Sequence, residues 1–174
     1  MPHIMSWRLK NIKLKKDTYG VASDYLHKSL EYIYNPQKAK YINAFGVAAH
    51  DVDSTESQMK YVKGYFHRNA DNPLIHIIVS FPKEIKTLQT AIELALHIAF
   101  YFKDESQVIW CIHYKVTERS FYHVHYIINP VCFKDGKLYN SSRKNLYDFT
   151  EYVETRTGLK SMFFYGSPTS SDDL

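Results

Sequence analysis

Cysteine is almost absent from this chain. Only Cys111 and Cys132 occur among its 174 residues, so there is no disulfide framework, and neither belongs to a CxxC pair of the sort used in zinc and redox motifs. Long apolar runs are missing too. No stretch reaches the ~18 residues that span a bilayer, and the N-terminus carries Arg8, Lys10, Lys13, Lys15 and Lys16 where a signal peptide would be apolar. The expectation is a cytoplasmic protein with no membrane insertion. Neither sign of charge dominates: 22 Lys and Arg against 18 Asp and Glu leave +4, a balance that permits nucleic-acid binding without requiring it. Hydrophobic residues at 45% and charged residues at 23% exclude an intrinsically disordered chain. What is abundant is aromatic, with 15 tyrosines. The length suits one domain able to bury its own core.

Residues 4–15 alternate apolar and basic side chains as a strand with one wet face does. Ala22, Leu26, Leu30 and Ile33 recur at helical spacing, and Asn35-Pro36 stops that helix near Tyr34, because the residue before proline avoids helical dihedrals. Residues 40–47 read as a strand, followed by Asp53 and Glu56 at the cap and N3 positions of a second helix. The run 73–81 is a dense β-branched strand, expected to be central, and 86–103 a third amphipathic helix. Strands 107–115 and 121–131 read as a hairpin, Asp135-Gly136 as a turn, and Leu146, Phe149, Tyr152 and Val153 as a last helix ending at Gly158. That order predicts an α+β fold, a mixed and mainly antiparallel central sheet flanked by helices. One domain is expected over residues 1–165, with 166–174 as a flexible tail.

Alternation along 121–131 places His123, His125 and Asn129 on one face of the strand. A hairpin centred on Glu118 pairs His113 with His123, bringing three imidazoles to one patch. A single histidine in such a strand is ordinarily a partnered core residue; three on one face are harder to read so, since burying unpaired imidazoles is costly. Imidazole is the commonest ligand for borderline divalent metals, and a strand pair holds three of them rigidly. The spacing alone does not choose a reaction. Cupins, nucleotide hydrolases and amidohydrolases also use closely spaced histidines, and a small-molecule metal hydrolase stays open at this point.

The segment IHYKVTERSFYHVHYIIN resembles the metal motif of relaxases, HUH-class enzymes that nick DNA for conjugative mobilisation. LEYIYNPQK is similar to their nucleophile segment, NPLIHIIVSF to their histidine-bearing strand, and KLYNSSRKNLYDFTEYVETRTGL to the basic turn and helix that follow. These pieces occur in the family's order. The resemblance implies a divalent metal, manganese or magnesium, held by His113, His123 and His125, with Tyr32 as nucleophile. Tyr34 and Tyr25 compete for that role. Asn129 and His76 are implied as supporting residues, and Arg143 and Lys144 as DNA contacts, with a solvated surface pair as the plain alternative. The implied partners are single-stranded or supercoiled DNA at an origin of transfer, and conjugation accessory proteins.

The implied chemistry suits these residue types. A divalent cation polarises a negatively charged phosphodiester, and a tyrosine oxygen displaces the 3′ oxygen to leave a 5′-phosphotyrosine that stores the bond for rejoining. One position departs from the pattern. Many relatives carry an acidic residue two places after the first histidine, where this chain has Lys115; Glu118 in the turn is the candidate substitute, a solvated turn residue the plainer reading. Relatives also have a further C-terminal region, so the chain reads as a short form or as the catalytic part. A rolling-circle initiator or transposase of the same chemistry, and a noncatalytic DNA-binding relative, are the competing readings.

Overall fold

In the computed structural model, residues 4–10, 21–68, 73–140 and 142–166 are described. They form ten elements. These are β1 (Ile4–Lys10), α1 (Val21–Tyr34), β2 (Ala39–Phe45), α2 (Val52–Tyr65), β3 (Ile75–Ser80), α3 (Leu88–Ala99), β4 (Val108–Tyr114), β5 (Tyr122–Ile128), α4 (Arg143–Thr157) and β6 (Lys160–Gly166). The six strands make one sheet in the order β2-β4-β5-β3-β1-β6. Every neighbouring pair is antiparallel except β1 and β6. The fold is therefore the mixed α+β class, with the strand from 73–81 in the sheet interior.

Two apolar layers sandwich the sheet. On one face Val108, Trp110, Ile112, Val124, Tyr126 and Ile128 pack with Ala91, Ala95 and Ile98 of α3 and Leu146, Phe149 and Val153 of α4. On the other, Ile109, Cys111 and Ile127 pack with Leu26, Leu30 and Ile33 of α1 and Met59 of α2. The period of two along each strand sends alternate side chains to different helices. Leu26, Leu30 and Ile33 recur at the four- and three-residue steps that put them on one stripe of α1. Burying such side chains contributes about 1.5–3 kcal/mol each, which seats α1 firmly over β4 and β5.

Three differences from the sequence expectation have physical causes. The cap of α2 is Asp51, whose backbone is extended and whose carboxylate accepts from Ser54 N at 2.7 Å. Asp53 lies within the first turn, and Glu56 turns instead to Lys60 and His27. A cap must reach the amide three residues on, and from Asp51 that amide is Ser54. Second, β6 was not expected; it forms by parallel pairing with β1, Ile4 opposite Lys160 through Lys10 opposite Gly166, a long-range contact without a local signal. Third, the helix expected over 86–103 is shorter, with turns from Phe100 onward. Of the expected tail, Gly166 ends β6 and 167–174 lie outside the described residues, as do 11–15 of the first expected strand.

Candidate metal and nucleophile site

The β4–β5 hairpin sets the site's geometry. Its register pairs His113 with His123 and Cys111 with His125. Imidazole centroids lie 5.2 Å apart for His113 and His123, 4.6 Å for His113 and His125, and 5.1 Å for His123 and His125. One ring nitrogen from each lies within 4.8 Å of the others, close enough for a single ion to be shared. His113 and His125 are buried and His123 is partly exposed, so the cluster has a closed side and an open one.

The donor set fits a divalent metal on chemical grounds. Burial first, then the neighbouring His123 and Lys38, push the His113 pKa down to about 4, so at neutral pH that ring presents a lone pair rather than a second proton. His125 Nδ1 shares a hydrogen bond with His76 Nε2 at 3.0 Å. Donation from Nδ1 leaves the Nε2 lone pair of His125 for a cation. His113 Nε2 meets Cys111 Sγ at 3.2 Å, and burial pushes that thiol well above its usual range, keeping it neutral and unreactive beside the ring.

The C-terminal turn of α1 brings the phenol. The Tyr32 ring lies 5.2 Å from His113 and 5.2 Å from His125, centroid to centroid, tilted 60° and 70° to them. Its two competitors are placed differently. Tyr34 shares a 2.7 Å hydrogen bond with Thr55 Oγ1 on α2, and Tyr25, two helical turns before Tyr32, is half-buried beside Ser29. Asn35 and Pro36 then close α1 into a tight turn. Asn35 O accepts from Lys38 N and Ala39 N, and its side chain accepts from Gln37 N. Ala39 pairs with His113, and the β2–β4 register shifts between Ala39 and Tyr41, an irregularity that re-aims the strand beside the site.

The structure thus gathers Tyr32, His113, His123, His125 and His76, and leaves three expected residues elsewhere. Asn129 is buried at the far end of β5; its amide donates to Met59 O and Gln107 Oε1 while its oxygen accepts from Val131 N, an anchor between α2 and the sheet. Arg143 and Lys144 open α4 on the opposite face, and Lys144 is paired to Asp148 at 2.5 Å. Lys115 and Glu118 are exposed around the hairpin turn. Two residues at the site were not singled out in the sequence. Cys111 was findable, because it alternates onto the face of His113. Lys38, whose Nζ sits 4.3 Å from the Tyr32 ring centroid, closes the LEYIYNPQK segment but had no role assigned to it there.

A second cluster, His27, Asp53 and Glu56, also has ligand atoms within 4.8 Å. Lys60 Nζ is 2.6 Å from Glu56 and His27 Nδ1 is 2.8 Å from it, so cations of the chain itself already occupy that carboxylate. It is an ion-pair latch between α1 and α2.

Comparison with known proteins finds one family and one fold. The family described as "Relaxase: MobA/VirD2-like, nuclease domain" matches residues 32–157. A solved structure from work on the molecular basis of vancomycin resistance transfer in Staphylococcus aureus superposes with a TM-score of 0.61. It is 13% identical, and the match covers 94% of this chain and 99% of that one. At that identity the likeness is one of fold. No curated protein matches the chain.

Proposed function

Because this chain belongs to the MobA/VirD2-like relaxase nuclease family, we propose that it nicks one strand of DNA at the origin of transfer of a plasmid or integrative element and later rejoins it. Tyr32 is the nucleophile; His113, His123 and His125 hold the metal. The observation that carries this reading is the placement of the Tyr32 ring 5.2 Å from two members of the histidine triad. A divalent ion held there supplies polarisation of the phosphate oxygens. Three imidazoles without a carboxylate favour manganese over magnesium, which prefers oxygen ligands.

The remaining steps belong to the chain's own groups. Packing of Leu26, Leu30 and Ile33 fixes α1, and hence the Tyr32 phenol, over the triad. A phosphodiester entering by the open side at His123 is attacked at phosphorus by the Tyr32 oxygen. The new O–P bond forms as the bond to the 3′ oxygen breaks, in line. The phenol gives up its proton and the departing 3′ oxygen takes one up, so the products are a 5′-phosphotyrosine and a free 3′-hydroxyl. Reversal by a 3′-hydroxyl reseals the strand. His76, through His125 Nδ1, orients a ligand rather than touching DNA.

The substrate is single-stranded, or extruded from supercoiled DNA, and the setting is the cytoplasm, with accessory proteins delivering the origin. Oligodeoxynucleotides tiling both strands of the DNA flanking the gene, incubated with manganese, test this. Cleavage of one strand at one site, abolished by EDTA and by Tyr32→Phe, is expected. Absence of cleavage on every strand leaves a DNA-binding accessory protein as the better reading.

A further inference from the structure

The turn that ends α1 sets a cation against the face of Tyr32, the ring that lies beside His113 and His125. Lys38 Nζ lies 4.3 Å from the ring centroid, and its charge is felt at His113 as well. The turn is well determined: Asn35 O receives both Lys38 N and Ala39 N, at 3.0 and 2.9 Å, and Ala39 is locked to His113 by strand pairing. Lys38 is half-buried. Among the described residues no ion pair joins it to a carboxylate, and the triad beside it consists of imidazoles alone.

Among the described residues no acid stands between this lysine and the triad, and a lysine facing a bound cation repels it unless an anion completes the arrangement. We propose that Lys38 is a catalytic phosphate-binding residue, its ammonium holding a non-bridging oxygen of the phosphodiester that Tyr32 attacks. The inference rests on the nicking reaction proposed above. With a cation held by His113, His123 and His125, Lys38 would share with it the charge that builds on the phosphate oxygens in the transition state. The contact with the ring face adds a second effect, since it restrains the phenol in the rotation it holds beside His113 and His125.

The test compares Lys38→Gln and Lys38→Arg with wild type, and uses Lys40→Gln, an exposed neighbour, as a control for lost net charge. Two readouts are taken: single-turnover cleavage of the origin strand in manganese, and metal-free binding of the same fluorescein-labelled strand in EDTA across salt concentrations. Lys38→Gln is expected to slow cleavage about 100- to 1000-fold at saturating DNA, as loss of a transition-state donor does. It also flattens the logarithmic salt slope by about 0.7, the share of one phosphate contact on a single strand. Lys38→Arg keeps the slope and recovers most of the rate, and Lys40→Gln cleaves as wild type does. Wild-type rate and slope in Lys38→Gln overturn the inference, as does an equal loss of rate in Gln and Arg variants with the slope unchanged. If wild type cleaves no strand, the nicking reading fails, while the metal-free slope, taken on the strand bound most tightly, still judges Lys38.

Discussion

His76 on β3 and His125 on β5 meet ring nitrogen to ring nitrogen at 3.0 Å, so one imidazole of the triad is oriented by another that does not join it. Outer partners of this type fix the tautomer and rotation of a ligand, and their loss typically weakens metal binding 10- to 100-fold. His76→Ala is accordingly expected to raise the manganese or cobalt dissociation constant by about that factor in calorimetric titration. His76→Gln, which can still accept a hydrogen bond from Nδ1, falls between. Wild-type affinity in His76→Ala would show the contact to be packing alone.

The pairing behind that prediction shows where the sequence was legible. Symmetry of the hairpin about Glu118 was enough to place His113 opposite His123, as the register has it, because hairpin pairing is local. The helical stripe of α1 and its stop at Asn35-Pro36 were equally readable. The His76–His125 contact was not, since it requires β3 to lie beside β5, and strand order follows from burial on both faces rather than from any local pattern. The same holds for β6 and for Lys38, which needs the turn after α1 to fold back over Tyr32.

The latch between α1 and α2 gives the fold a pH dependence. The hydrogen bond that His27 donates to Glu56, against some burial, raises the His27 pKa, with the charges of Glu56, Glu31 and Asp53 adding to it. Burial pushes Glu56 up, but Lys60 and His27 outweigh it and its pKa ends lowered. A raised histidine contributes stability that is complete below its ordinary value of 6.5 and lost as pH rises through the folded value. A lowered carboxylate contributes above its ordinary 4.5 and loses it as pH falls. The latch is therefore strongest between those two values. Melting curves of wild type and His27→Gln should differ most between those two values and converge as the pH rises through the folded value of His27. A difference independent of pH would contradict the ion-pair account.

Among the described residues, Gly136 marks the turn where a side chain is excluded twice over. Its φ is +71°, and an added Cβ would lie 2.6 Å from the Phe66 ring, which packs across it from the end of α2. Gly136→Ala combines left-handed strain with a clash and is expected to cost about 2 kcal/mol or more. A lower urea midpoint with an unchanged denaturant slope would show it; a shift worth under about 0.5 kcal/mol would mean that Phe66 moves aside freely.

Tyr34 supplies the control for the nucleophile. Its hydroxyl is engaged with Thr55 Oγ1 at 2.7 Å, so Tyr34→Phe should lose about 0.5–1.5 kcal/mol of stability and still cleave DNA. Loss of cleavage in a folded Tyr34→Phe protein would move the nucleophile two residues along α1.

The most direct test of the phenol over the triad is peptide mapping of the covalent adduct. Wild type, loaded with manganese and reacted with an origin strand, is digested with protease and nuclease, and the nucleotide-bearing peptide is sequenced by mass spectrometry. The expected result is a single phosphorylated tyrosine, Tyr32, with no adduct in Tyr32→Phe or after EDTA treatment. A nucleotide on any other tyrosine, or an adduct that persists in Tyr32→Phe, would contradict the account.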